Sequence, residues 1–285
     1  MLFYDRENAT TKVEQEEGAK SLEFLYKSVP GRILLWTIVI RPWFSNLCAL
    51  YQKSYLSKYK IRKFARKYQI RDAGHLGQYD SFNDFFIRKR NVNFDSKNKN
   101  ELLSPADSKL SVYKISENLI LKIKGSKYKI ADLLHDSKLA NEYKGGLCLV
   151  FRLATDDYHR YHFIDDGKIV ETKKIDGVLH TVRSISEEYD VFVHNSREIV
   201  VMDTENFGKV TQIDVGALMI GKIKNRDVKK FKRGDEKGYF EFGGSTIVML
   251  FKKDMNIQID SDIIRAGNMK METKVKLGEK IGIRN

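Results

Sequence analysis

Proline is scarce, three in 285 residues, and neither Pro-rich nor Gly/Ser-rich tracts occur, so the chain does not read as modules strung on linkers. Cysteine is scarcer. Cys48 and Cys148 lie far apart with no CxxC, which argues against a disulfide framework and for a reducing compartment, the cytoplasm by default. Long hydrophobic runs are missing as well. The most apolar stretch, Ile33 to Ile40, stops at Arg41-Pro42, well short of the roughly 20 residues a spanning helix needs. The N-terminus, MLFYDRENATTKVEQEEG, carries acids where a secretory signal has a basic stretch and an apolar core, so neither a bilayer crossing nor a signal peptide is expected.

What is present is a globular composition, 42% hydrophobic and 31% charged, which excludes intrinsic disorder and collagen-like repeats. The length allows one or two domains, and such a chain buries about 70 to 75% of its unfolded surface without help from disulfides or metal. Lysine and arginine number 51 against 38 acids, a net charge of +13 that biases the molecule toward anionic partners: nucleic acid, acidic lipid surfaces or phosphorylated ligands.

The fold class expected is α+β, with amphipathic helices over residues 1–80 and a β-rich core over 81–285. Around the Ile33 run lie both tryptophans, Trp36 and Trp43, which suits a lipid interface as well as a helix docked on its own core. From Gln52 to Ile70 seven basic residues and no acid accompany Ile61, Phe64, Ala65 and Tyr68 at helical spacing. That basic amphipathic helix fits an anionic membrane, nucleic acid, or a solvated face on a core-packed helix. Beyond SFNDFFIRKR (81–90) come short β-branched and aromatic runs: LILKI, GLCLVFRL, YDVFVH, REIVVM, KVTQIDVGALMIGKI and STIVMLF. The closing segment from Ile263 alternates around glycines, as twisted strands and tight turns do.

Four constellations could carry chemistry. His159 and His162 in DDYHRYHF sit on an extended segment with no further ligands at useful spacing, so separate roles for two imidazoles fit better than a zinc site, and no metal is expected. Phe242-Gly243-Gly244-Ser245-Thr246 precedes an apolar strand and taken singly is a hairpin turn. SPADS (104–108) is a turn in which Asp107 caps local donors. VGALMIG (215–221) lacks GxGxxG and is not a nucleotide loop.

Taken in order, SFNDFFIRKR, SPADS, DYHRYHF, NSREIVVMDTENFGKV, DVGALMIGKI and KRGDEKGYFEFGGSTIVMLF resemble the phosphatidylserine decarboxylase family of pyruvoyl enzymes, from about Ser81 to Phe251. Two departures stand out: the family commonly has Gly where this chain has Ser108, and often Leu where it has Gly243. Neither removes a reacting group.

The resemblance implies a proenzyme that cuts itself between Gly244 and Ser245, giving a β chain, 1–244, and an α chain, 245–285, whose Ser245 becomes a covalent pyruvoyl group. It places Asp107, His162 and Ser245 as the relay for cutting, in the manner of a serine protease triad. The pyruvoyl group, the one cofactor implied, forms a Schiff base with phosphatidylserine in an anionic membrane, and His159 is the expected proton donor in decarboxylation. Location follows as peripheral, on the cytoplasmic side of the cell membrane, with no nucleic-acid partner and self-association left open. Two rivals remain at this point: a pyruvoyl decarboxylase of a soluble amino acid, and a non-catalytic basic protein that binds lipid or nucleic acid.

Overall fold

A computed structural model of the chain describes residues 2–14, 19–70, 74–92, 94, 96–123, 126–181, 185, 191–218, 222–243 and 245–285. Its strands begin with β1 (Leu2–Asp5), β2 (Thr10–Val13), β3 (Glu101–Leu103), β4 (Ser108–Lys114), β5 (Ile120–Ile123) and β6 (Ser126–Lys129). Next come β7 (Leu147–Leu153), β8 (Arg160–His162), β9 (Gly167–Ile175), β10 (Arg197–Thr204), β11 (Gly208–Val215) and β12 (Ile223–Asn225). The last are β13 (Lys230–Phe231), β14 (Glu236–Phe240), β15 (Ser245–Phe251), β16 (Ile257–Ile259), β17 (Glu272–Val275) and β18 (Lys280–Arg284). The helices are α1 (Ala19–Lys27), α2 (Val29–Leu34), α3 (Pro42–Lys53), α4 (Lys60–Lys67), α5 (Phe82–Phe86), α6 (Ile130–Leu134), α7 (Ser137–Glu142), α8 (Val191–His194) and α9 (Ser261–Asn268). The α+β expectation holds.

Ten strands form the main sheet in the order β13-β9-β10-β11-β15-β7-β4-β17-β1-β2. Every residue of β15 is buried, as its unbroken apolar run requires of a central strand covered on both faces. Ile247, Met249 and Phe251 enter one core with Phe151, Tyr161 and Phe240, while Val248 and Leu250 enter a second with Leu133, Tyr143 and Ile213. A small sheet, β12-β14-β8, covers the first of these faces. Strands β7 and β15 pair in the main sheet with Ser245 opposite Leu153, and their neighbours along the chain, β8 and β14, pair in the small sheet with His162 opposite Glu236. Two connections, one through 154–159 and one whose described part is 241–243, therefore run from one sheet to the other.

The helical reading of the N-terminal region holds from Ala19 onward, but β1 and β2 depart from it: β1 runs parallel to β17 and extends the main sheet. Pairing with a strand some 270 positions later leaves no local periodicity to read. Two readings of strand are corrected in part. YDVFVH yields α8, and the closing segment begins in α9, where Ile263 and Ala266 face inward at helical spacing, before giving β17 and β18 as strands.

Helix α2 continues into a π-helical turn, Leu35–Val39, and Arg41, held extended by the proline after it, breaks the path before α3. The two limbs meet at a 78° bend, and no single described helix is long and apolar enough to cross a membrane. Val29, Ile33 and Trp36 on one limb, and Trp43, Leu47 and Leu50 on the other, keep apolar side chains exposed at helical spacing. In α4 the apolar face is already used: Ile61, Phe64 and Ala65 pack with Tyr79, Phe82, Phe85 and Phe86, leaving Arg62, Lys63, Arg66 and Lys67 exposed. The apolar face of the basic helix is thus packed in the core and its charged face is exposed.

Candidate active site

Ser245 opens β15 at the rim of the main sheet and is fully buried, and its Oγ has no hydrogen-bond partner among the described residues. A buried hydroxyl without a partner is costly unless it has something to do. Gly244, the expected residue before the cut, lies outside the described residues. Gly243 has φ 146°, a conformation open to glycine and strained for other residues.

His159 stands at the end of the 154–159 connection, with its ring 4.2 Å from that of Phe86. Its Nδ1 is 2.8 Å from the Asp157 carbonyl, which fixes that nitrogen as the donor and leaves Nε2 as the acceptor. Burial pushes the imidazole down to about 4, against the pull of Asp157 and of the Gly243 backbone, which lies near the ring. Nε2 nonetheless has no partner in hydrogen-bond geometry among the described residues. His162, the last residue of β8, is also driven down to about 4, first by burial and then by Arg90, Arg160 and Arg226, with Glu236 opposing. Its Nδ1 is buried and likewise unpartnered among the described residues.

Asp107 does not cap its own turn. Its Oδ1 accepts from the Leu277 amide at 2.8 Å, far along the chain, and both carboxylate oxygens are held by Arg90 at 2.8 and 2.6 Å. The backbone brings His162 alongside, its amide donating to the Pro105 carbonyl at 3.0 Å. No hydrogen bond joins Asp107 to His162, or His162 to Ser245, among the described residues. The structure therefore gathers two imidazoles, a hydroxyl and a carboxylate on adjoining segments without linking them into a chain.

Several supporting residues carry no sequence signal of their own. Ser81 caps α5 by accepting from the Asp84 amide at 3.1 Å, and Asn83 Oδ1 accepts from the Phe242 amide at 3.3 Å. Phe242 in turn packs against Phe82 and Phe86, so the SFNDFF motif steadies both the segment entering Ser245 and the His159 ring. Lys53, at the end of α3, reaches the buried Glu241 at 2.7 Å. Beneath the histidine connection, buried Lys109 lies 3.4 Å from Asp157 and 3.3 Å from Glu14, while Arg152 binds Glu14 at 2.8 Å and Glu272 at 2.5 Å. Burial opposes the charge on Lys109, but Asp157 and Glu14 raise its pKa above the ordinary value. Asp157 also accepts from the Ala154 amide at 2.7 Å, closing the turn that presents His159.

The family model described as phosphatidylserine decarboxylase matches residues 82–283. The chain is 48% identical to a protein from Clostridium acetobutylicum named phosphatidylserine decarboxylase proenzyme 2, over 100% of this chain and 99% of that one. It is 40% identical to the phosphatidylserine decarboxylase proenzyme of Clostridium tetani, over 98% and 97% of the two chains. The corresponding proenzyme of Ruminiclostridium cellulolyticum is also 40% identical, over 98% and 96%.

Proposed function

The chain belongs to the phosphatidylserine decarboxylase family, and from that premise we propose that it removes carbon dioxide from phosphatidylserine using a pyruvoyl group made from its own Ser245. The observation that carries this reading is the buried Ser245 hydroxyl, unpartnered among the described residues at the head of the central strand, with Gly243 two positions before it at φ 146°. The surrounding residues fit such a group: Oγ is unengaged by any described residue, the buried His159 ring lies by the Gly243 backbone, and Phe86 packs against both that ring and Phe242.

In the cut, Ser245 Oγ attacks the Gly244 carbonyl carbon while His162 takes the hydroxyl proton, and the peptide C–N bond breaks as the C–O ester bond forms, the proton passing from His162 to the departing Ser245 nitrogen. Removal of the Ser245 α-proton then expels the ester oxygen with residues 1–244 as a free carboxylate. The dehydroalanine left at residue 245 takes up water and releases ammonia. Asp107 is assigned the orientation of His162, which requires it to leave its present pair with Arg90.

When formed, the pyruvoyl carbonyl supplies the electron sink that decarboxylation of an amino acid requires. His159, held by the Asp157 carbonyl through Nδ1, is assigned the proton delivered to the carbon that loses carboxylate, a proton its free Nε2 first takes from the substrate ammonium as the amine engages the carbonyl. The exposed apolar stripes of α2 and α3 support docking at a lipid interface, and the Lys53–Glu241 pair ties that surface to the segment leading into Ser245. A second reading exchanges the histidines, since the Gly243 backbone lies beside the His159 ring.

Intact mass of the purified chain tests the proposal: a fragment spanning 245–285 with a blocked N-terminus is expected, and Ser245→Ala should remove it together with decarboxylation. His159→Ala is expected to cut normally and lose decarboxylation. Loss of both would assign the base role to His159.

A further inference from the structure

The bidentate hold of Arg90 on Asp107 has a bearing on when the chain cuts itself. Arg90 is built into place: its ring neighbour Tyr158 lies 4.3 Å from the guanidinium, and its amide donates to the Tyr158 hydroxyl at 3.2 Å. A planar guanidinium facing both oxygens of a carboxylate is among the stronger pairings available to a protein. With Arg90 on both oxygens and the Leu277 amide on Oδ1, Asp107 has little capacity left for an imidazole. His162, one backbone hydrogen bond away through Pro105, keeps its Nδ1 buried and unpartnered among the described residues.

We propose that Arg90 is a positioning residue that restrains maturation, holding Asp107 away from His162 until the Arg90–Asp107 pair opens. The proposal rests on the relay assigned above. Arg90 acts twice in this arrangement. It occupies the carboxylate that would steady a protonated His162, and its own charge opposes that protonation, together with Arg160 and Arg226 and against Glu236. Opening the pair removes both effects at once.

The test is the rate at which the full-length chain, made in a cell-free translation and chased over time, releases the 245–285 fragment. Arg90→Gln is expected to cut about tenfold faster, the order expected when the freed Asp107 can give His162 a charge-assisted hydrogen bond as it takes the Ser245 proton. Millimolar guanidinium added to Arg90→Gln should slow it again while leaving the natural chain unchanged, a response that loss of packing would not give. Arg90→Lys keeps the charge but holds one oxygen at a time, and its rate should fall between the two. It also carries the test if the glutamine variant fails to fold by circular dichroism. A rate for folded Arg90→Lys equal to or below that of the natural chain overturns the proposal, as does unaccelerated cutting by folded Arg90→Gln. Asp107→Asn separates the two levels. If it stops cutting and Arg90→Gln is not faster, the restraint alone falls; if it cuts normally, the relay falls and the restraint with it.

Discussion

His159 and His162 are held neutral at physiological pH because burial costs their charged forms more than nearby acids return, and on the proposed mechanism this sets how cutting responds to acid. A base must be unprotonated to work. With His162 at about 4 rather than the ordinary 6.5, its neutral form persists as the pH falls below 6. The rate of fragment release is therefore expected to stay level from pH 8 to about 5 and to drop only toward 4, the range set by the lowered imidazole. A fall centred near 6.5 would mean that His162 is solvated in the reacting state. The sequence singled out both residues, since imidazole is the natural proton carrier, but burial and the Phe86 and Arg90 neighbours emerge only from packing.

Between elements, the connection that presents His159 depends on a buried network that no sequence window contains. Lys109 on β4 faces Asp157 in the 154–159 turn and Glu14 just beyond β2, and Arg152 on β7 links Glu14 to Glu272 at the head of β17. Replacing Lys109 by Met leaves buried Asp157 without its cation, while Glu14 keeps Arg152. That is expected to cost about 3 to 5 kcal/mol, read as a lowered denaturant midpoint in the Ser245→Ala background, where cutting does not complicate unfolding. An unchanged midpoint would show that solvent reaches Asp157. Motif reading identified SFNDFFIRKR without giving it a task; its task is mechanical, with Ser81 starting α5, Asn83 holding the Phe242 amide and Phe86 backing His159.

Across the molecule, the segment 245–285 contributes β15 to the centre of the main sheet and β17 to the junction between β4 and β1. The apolar stripes of α2 and α3 and the exposed cations of α4 lie within one N-terminal region, so association with lipid should have both an apolar and an electrostatic part. On vesicles containing phosphatidylserine, co-sedimentation should weaken but persist at 0.5 M salt, where screening acts within about 4 Å. Leu47→Glu combined with Leu50→Glu should abolish the salt-resistant part. Complete release of the natural chain by salt would assign docking to the basic residues instead.

The sequence by itself determined what burial pattern and residue order can encode: an α+β chain, a central strand at Ser245–Phe251, an amphipathic basic helix, and the family to which the ordered motifs point. Hydrophobic periodicity is local, so it specifies which face of a segment is covered. Which distant partner covers it is not a local property. The tertiary structure decided that β1 pairs with β17, that α4 spends its apolar face on Phe82 and Phe85, and that Asp107 answers to Arg90 and Leu277 instead of its own turn. Those choices depend on which sheet edges meet and which charges are buried side by side, because a buried charge must take whatever opposite charge or backbone donor the fold delivers.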